Sequence, residues 1–450
     1  MSFIGITLKH FDELSEVCLA SLKSGEALTL NIAAEEQHYL RFNNARVRQS
    51  TQVEQHRVTL CFQANGRRVM YCFDLSGAFD QDLVSAQSLL DRARLETTVL
   101  PEDPFVSPLE NHGGSEQHHT GQLPELSTLL EQVSVEAEGS DFTGLYAAGP
   151  QLRATRNSEG LRHVFSAEGF FLDYSLFTVN PAGENKAVKG LYAGREWQPE
   201  QFSAAIAASR LQLAMLKRDS QPLEPGHHRV FFAPAAVDAL LGILSWGAVS
   251  YGAWQKGDCA LKKLIEGEVR LSPLFHLGES FSLGLAPRFN SLGEMAPERL
   301  TLIEDGTIHN LLISSRSARE YGVAGNGAEA GEGLRSPVMG AGSLEDSAIL
   351  ETLGTGVYVS NLHYLNWSDL QSARVTGMTR YACFWVERGE IVAPIRDLRF
   401  DESLYRMFGT ELEAVTTSPV VMMETETYGQ RSLGGSQVPG MLVRDFRFTL

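Results

Sequence analysis

Along residues 10–24, Phe11, Leu14, Val17, Cys18 and Leu22 recur at helical intervals and predict a helix closed by Gly25. The period then shortens to two. "EALTLNIAA" and "HYLRFNNARVRQS" alternate apolar and polar positions as strands do. "HRVTLCFQANGRRVMYCFDL" reads as a hairpin, because Asn65-Gly66 supplies the two positive φ angles of a type I′ turn. Phe79, Leu83, Leu89 and Leu90 predict a second helix over 78–95, and the polar stretch 98–122 reads as a surface loop or insertion. A short helix near 123–134, a meander of strands and a helix over 199–217 follow. Helices on one face of an antiparallel sheet describe an α+β layer for residues 1–222.

The polar, proline-bearing linker "RDSQPLEPGHHR" predicts the boundary, with a second domain at 223–450. That domain opens with the strand "RVFFAP" and an apolar run over 234–254 that reads as one buried helix, Asp238 being its only charged residue. The rest is mostly β-structure, including a hairpin turning at Arg388-Gly389 and a last strand, "GMLVRDFRFTL", tied into a sheet. The expected architecture is α+β, with a larger, mixed, barrel-like β domain carrying helices in the second half.

Composition narrows the partners. A chain of 450 residues with 38 basic and 55 acidic side chains, formal net charge −17, lacks the basic surface that phosphate contacts require. No run has the length and flanks of a membrane span, and the first residues do not read as a signal peptide. Five scattered cysteines without a CxxC predict free thiols, with Cys18, Cys61 and Cys72 buried, and a cytoplasmic setting. Nucleic acid and membrane are therefore not expected partners.

Candidate chemistry is sparse. Neither His118-His119 nor His227-His228 has a carboxylate or cysteine at ligand spacing, so both pairs read as solvated. His276 and Glu279 lie three apart but in a strand-and-turn context. The glycine-rich "YGVAGNGAEAGEGLRSPVMGAG" carries glutamates where a phosphate cradle needs a lysine and reads as a mobile loop. No serine-nucleophile elbow and no HExxH or HExxxH is present.

A larger pattern lies in the second half: "LIEDG", "SRSARE", "TG" and "VERGEIVAPI", in that order. It resembles the TldD/PmbA (TldE) family of metallopeptidase-related proteins. The resemblance implies two kinds of chain that pair. One carries LLHExxGH and a C-terminal cysteine, whose histidines and thiolate hold zinc while the glutamate activates water. The other lacks the motif. Laid on "LLGILSWGA", the motif's histidines fall on Gly242 and Gly247 and its glutamate on Ile243, and no cysteine follows Cys383. The resemblance thus implies a noncatalytic subunit with no metal or cofactor of its own. Zinc is expected in a TldD-like partner, and this chain would help form a chamber for an extended peptide. Gly434, Gly435 and Gln437 are the candidate peptide contacts, because glycines admit a second backbone. Two other readings stay open: a stand-alone homodimer that binds peptide without cutting it, and a hydrolase using His276, Glu279 and Cys383.

Overall fold

A computed structural model describes residues 2–449. The first half runs α1 (Phe3–Ala20), β1 (Glu26–Asn43), β2 (Arg46–Ala64), β3 (Arg67–Asp74), α2 (Phe79–Glu96), β4 (Gly114–His119), α3 (Leu126–Ala137), β5 (Asp141–Asn157), β6 (Arg162–Val179), β7 (Asn185–Gly194) and α4 (Pro199–Leu216). Helix α1 starts earlier than its apolar stripe, because the Ser2 hydroxyl caps it by accepting from the Gly5 N–H at 3.3 Å. It ends at Ala20, and Gly25 (φ 82°) makes the turn into β1 instead. The Asn65-Gly66 turn has both φ angles positive, 52° and 66°, as the hairpin demands.

Seven strands form one sheet in the order β3-β2-β1-β5-β6-β4, with β7 on the other part of β6. Alternation sorts its faces. Leu28, Leu30, Ile32 and Ala34 of β1 pack with Phe11, Leu14 and Leu90 of the first two helices. Leu40 and Phe42 join the core under α3 and α4. The intervening positions, Asn31, Ala33, Glu35 and Gln37, turn to the opposite face. The 98–122 stretch is more ordered than its composition suggests: β4 lies parallel to β6, pairing Gly114–His119 with Arg162–Ala167. Backbone pairing needs no apolar side chains, so an outer strand can be polar. Cys72 is a further correction. It is exposed on the outer strand β3, since alternation sends its neighbours Tyr71 and Phe73 to the helices.

The second half comprises β8 (Gly226–Phe232), α5 (Pro234–Leu244), α6 (Tyr251–Lys256), α7 (Lys262–Ile265), β9 (Leu277–Ser280), β10 (Arg299–Glu304), β11 (Thr307–Ile308), α8 (Ser315–Tyr321), β12 (Pro337–Met339), α9 (Ile349–Leu353), β13 (Gly356–Val359), β14 (Asn361–Asp369), β15 (Arg374–Arg380), β16 (Phe384–Glu387), β17 (Glu390–Pro394), β18 (Arg399–Ser403), β19 (Leu412–Val415), β20 (Val420–Met423), β21 (Gly435–Val438) and β22 (Met441–Phe448). One sheet has the order β14-β15-β18-β22-β8-β13-β16-β17, with β19 on β22; the other has the order β11-β10-β9-β12-β21-β20. Both are open rather than barrel-like, because each path ends on strands with one unpaired edge. The last strand is tied down, pairing with β8, β18 and β19.

The apolar run 234–254 is not one helix. Pro234 starts α5 at a position where its missing N–H costs nothing, and the helix ends at Leu244. Gly247 is left-handed (φ 86°), and the chain re-enters a helix only at α6, capped by Ser250. The glycine-rich tract is likewise built in rather than mobile. Glu332 is 2% exposed, and its carboxylate accepts from Ser250 Oγ (2.5 Å), the Gly252 N–H (2.8 Å), the Ser314 N–H (2.8 Å) and Ser314 Oγ (2.9 Å). Burial pushes its pKa up, but these donors outweigh burial and hold it below the usual carboxylate range.

A cleft between the two halves

The polar face of the first sheet and α5 of the second half enclose a cleft of about 1370 Å³. On α5 and its C-cap, Asp238, Gly242 and Ser245 face it, spaced one helical turn apart. Asp238 accepts from Ser436 Oγ at 2.5 Å, and burial raises its pKa, with Glu424 adding like-charge repulsion. Opposite stand Asn31, Ala33 and Arg153 of the seven-stranded sheet. The third side is β20, an edge strand, and the connection from it to β21.

That connection is anchored across the domain boundary. Arg431 is 2% exposed and inserts against the first sheet, donating from Nη1 to Gln37 Oε1 (3.0 Å) and the Gly169 carbonyl (2.8 Å) while lying over the Phe171 ring at 5.3 Å. Its backbone N–H donates to Glu35 Oε2 at 2.8 Å, and Gln151 Nε2 donates to its carbonyl at 2.6 Å. These partners explain why Glu35 and Gln37, polar residues inside a long strand, are almost fully buried. Burial lowers the Arg431 pKa to about 10, so it stays charged at neutral pH.

The sequence-predicted positions divide. Gly242 lines the cleft, and a Cβ there would meet nothing within 4 Å. Ile243 turns the other way into the core, at 2% exposure. Gly247 lies past the C-cap of α5 in a left-handed turn and is not part of the cleft lining. Gly434 and Gly435 line the cleft with φ of 125° and 148°. Gln437 is not in the lining; it is paired within the sheet to Val421 and Val338. The three residues of the hydrolase reading do not converge. His276 Nδ1 accepts from the Asp305 N–H at 3.3 Å, Glu279 accepts from the Arg335 and Ser336 N–H groups, and the Cys383 thiol, pushed up to about 11 by burial, donates to the Arg380 carbonyl. His118 is held by Ser166 and Glu116, and His227 by Asp445. Asp238, Arg153 and Arg431 are the residues that sequence reasoning missed. Only Asp238, a lone charge in an apolar run, carried a local signal.

A family profile described as the PmbA/TldA metallopeptidase C-terminal domain matches residues 225–450. The chain belongs to the PmbA/TldD family. Among curated proteins it is 26% identical over 329 residues to the metalloprotease PmbA of Escherichia coli O157:H7, covering 68% of this chain and 69% of that one. Two solved structures share the fold. TldE from Thermococcus kodakarensis has a TM-score of 0.78 at 13% identity, covering 98% of this chain and all of that one (100%). A proposed modulator of a DNA gyrase from Thermotoga maritima MSB8 has a TM-score of 0.78 at 15% identity, with the same coverage.

The family's metallopeptidase character implies a metal, and the residues present do not fit one. Glycine and isoleucine side chains offer no ligand atom at 242, 243 or 247. Among the described residues no three His, Cys, Asp or Glu side chains are grouped so as to hold a metal ion. Nor is any described helix long and apolar enough to cross a membrane.

Proposed function

We propose that this chain is the metal-free, noncatalytic subunit of a cytoplasmic two-chain peptidase, and that its zinc-bearing, TldD-like partner makes the cut. The observation that carries this reading is the cleft face of α5. The resemblance sets the zinc-binding motif on this helix, and its cleft side presents Asp238, Gly242 and, at its C-cap, Ser245 to the cavity. The role left to this chain is to hold substrate. An extended peptide adds to the open edge of β20 through main-chain hydrogen bonds, which accept many sequences, and the small residues Gly434 and Gly435 leave room for its backbone. Four of the five cysteines are buried and all five are unpaired, in keeping with a reducing compartment.

Native mass spectrometry of the chain isolated gently from its own cells tests the assignment. The expected species is a complex with a second chain of similar mass that carries the zinc. A metal-free homodimer would favour a stand-alone peptide-binding protein. Stoichiometric zinc on this chain alone would overturn the reading.

A further inference from the structure

The cations around the cleft are neutralised or capped, with one conspicuous exception. Lys189 pairs with Asp173 at 2.5 Å, and Arg316 pairs with Asp103 at 2.5 Å. Arg335 donates to the Phe289 and Gly327 carbonyls at 3.2 and 2.9 Å and lies over the Phe281 ring. Arg68 reaches the Ser107 carbonyl near the rim. Among the described residues Arg153 has no carboxylate within salt-bridge distance, and its one acceptor is the Leu152 carbonyl, 2.9 Å from Nη1. Its Nε and Nη2 have no hydrogen-bond partner among the described residues, and Arg153 is half-buried and lines the cleft.

The surroundings keep this guanidinium available. Its cross-strand neighbour on β1 is Ala33, whose methyl group leaves space above it. The nearest acid on the same face is Glu35, but both its oxygens are engaged, one by Gln55 Nε2 and the other by the Arg431 N–H. Burial lowers the Arg153 pKa to about 10, which still leaves it charged at neutral pH. A half-sealed cation whose nearby carboxylate, Glu35, acts only at a distance is unfavourable unless something else supplies an anion in contact. A guanidinium's parallel N–H pair matches the two oxygens of a carboxylate.

We propose that Arg153 receives the C-terminal carboxylate of a peptide lying in the cleft, so that this subunit selects free chain ends over internal segments. This rests on the peptide-holding role above. It adds a direction to a site whose edge strand alone reads only main chain.

The test uses the full chain, in whatever complex it purifies, and three N-terminally fluorescein-labelled heptapeptides of alanine, valine and serine. One has a free C-terminal acid, one a C-terminal amide, and one a C-terminal amide with an internal aspartate. Fluorescence anisotropy should show the acid binding at least about tenfold more tightly than either amide. Arg153→Gln should abolish the difference and Arg153→Lys keep part of it. Neither variant should lower the melting temperature appreciably, because no ion pair is lost; a large drop would mark Arg153 as structural and overturn the proposal. Equal binding of acid and plain amide would overturn it while leaving the peptide-holding role intact. Equal binding of acid and aspartate peptide would reassign the site to side-chain carboxylates. Failure of all three peptides to bind would instead remove the peptide-holding role, and this inference with it.

Discussion

Gly242 sits inside a helix yet needs none of glycine's freedom: it lies within the regular turns of α5, and a Cβ there would meet open space. Glycine in a helix interior costs about 0.5–1 kcal/mol relative to alanine. Gly242→Ala should therefore raise stability by about that amount, read as an increase in melting temperature. Gly242→His should fold equally well and still bind no zinc by calorimetry. Ile243 points into the core, and position 247 lies past the helix end. At this scale the sequence was informative where a residue's job is local. Asn65-Gly66 and Arg388-Gly389 both form turns with paired positive φ angles, as their spelling requires. It was silent where the job depends on a distant partner. Glu35 and Gln37 fall in the gap between the two runs that alternate as strands, and the group that joins them, Arg431, lies almost the whole chain away.

Among the elements, the pair β20–β21 controls the open side of the cleft. Gly435 faces Met423 across the two strands, and a Cβ on it would lie 2.3 Å from the Met422 carbonyl oxygen, at a φ of 148° that side chains avoid. Gly435→Ala should cost about 1–3 kcal/mol in urea unfolding. It should also speed amide hydrogen exchange across residues 420–423, as β20 loosens from its partner. The apolar run over 234–254 shows what periodicity omits. Its composition suits one buried helix, but Gly247 supplies a left-handed turn that breaks it in two. The glycine-rich tract misleads in the opposite direction. Charge counting marks its glutamates as solvated, while one of them, Glu332, ties together the starts of α6 and α8. Whether an acid is exposed depends on donors brought in from other elements, and those are not visible in a local window.

On the scale of the whole molecule, the linker is fastened by Glu184. Its carboxylate accepts from Ser220 Oγ at 2.6 Å and Asn180 Nδ2 at 2.8 Å, and lies near Lys186 (3.3 Å) and Arg396 (3.4 Å), so it joins the first sheet, the linker and the second half. The Ser220 hydrogen bond leads the effects that pull its pKa from 4.5 to about 2. A depressed carboxylate stabilises the fold fully above its unfolded value and loses that contribution as pH falls through its folded value. Wild type should therefore melt above Glu184→Gln at pH 7, with the gap narrowing below about pH 4.5 and closing near pH 2. Melting curves across that range would check it. The seating of Arg431 has a consequence in time as well as in space. Its partners, Glu35, Gln37 and Gln151, sit on strands made early in synthesis, while Arg431 is made some 280 residues or more after them. Until it arrives, Glu35 has only Gln55 as a donor and Gln37 only the Pro150 carbonyl as an acceptor, which leaves one oxygen of each side chain unmet. A product truncated before Arg431 therefore lacks the third wall of the cleft, so the cavity closes only once a segment far along the chain has reached the first sheet.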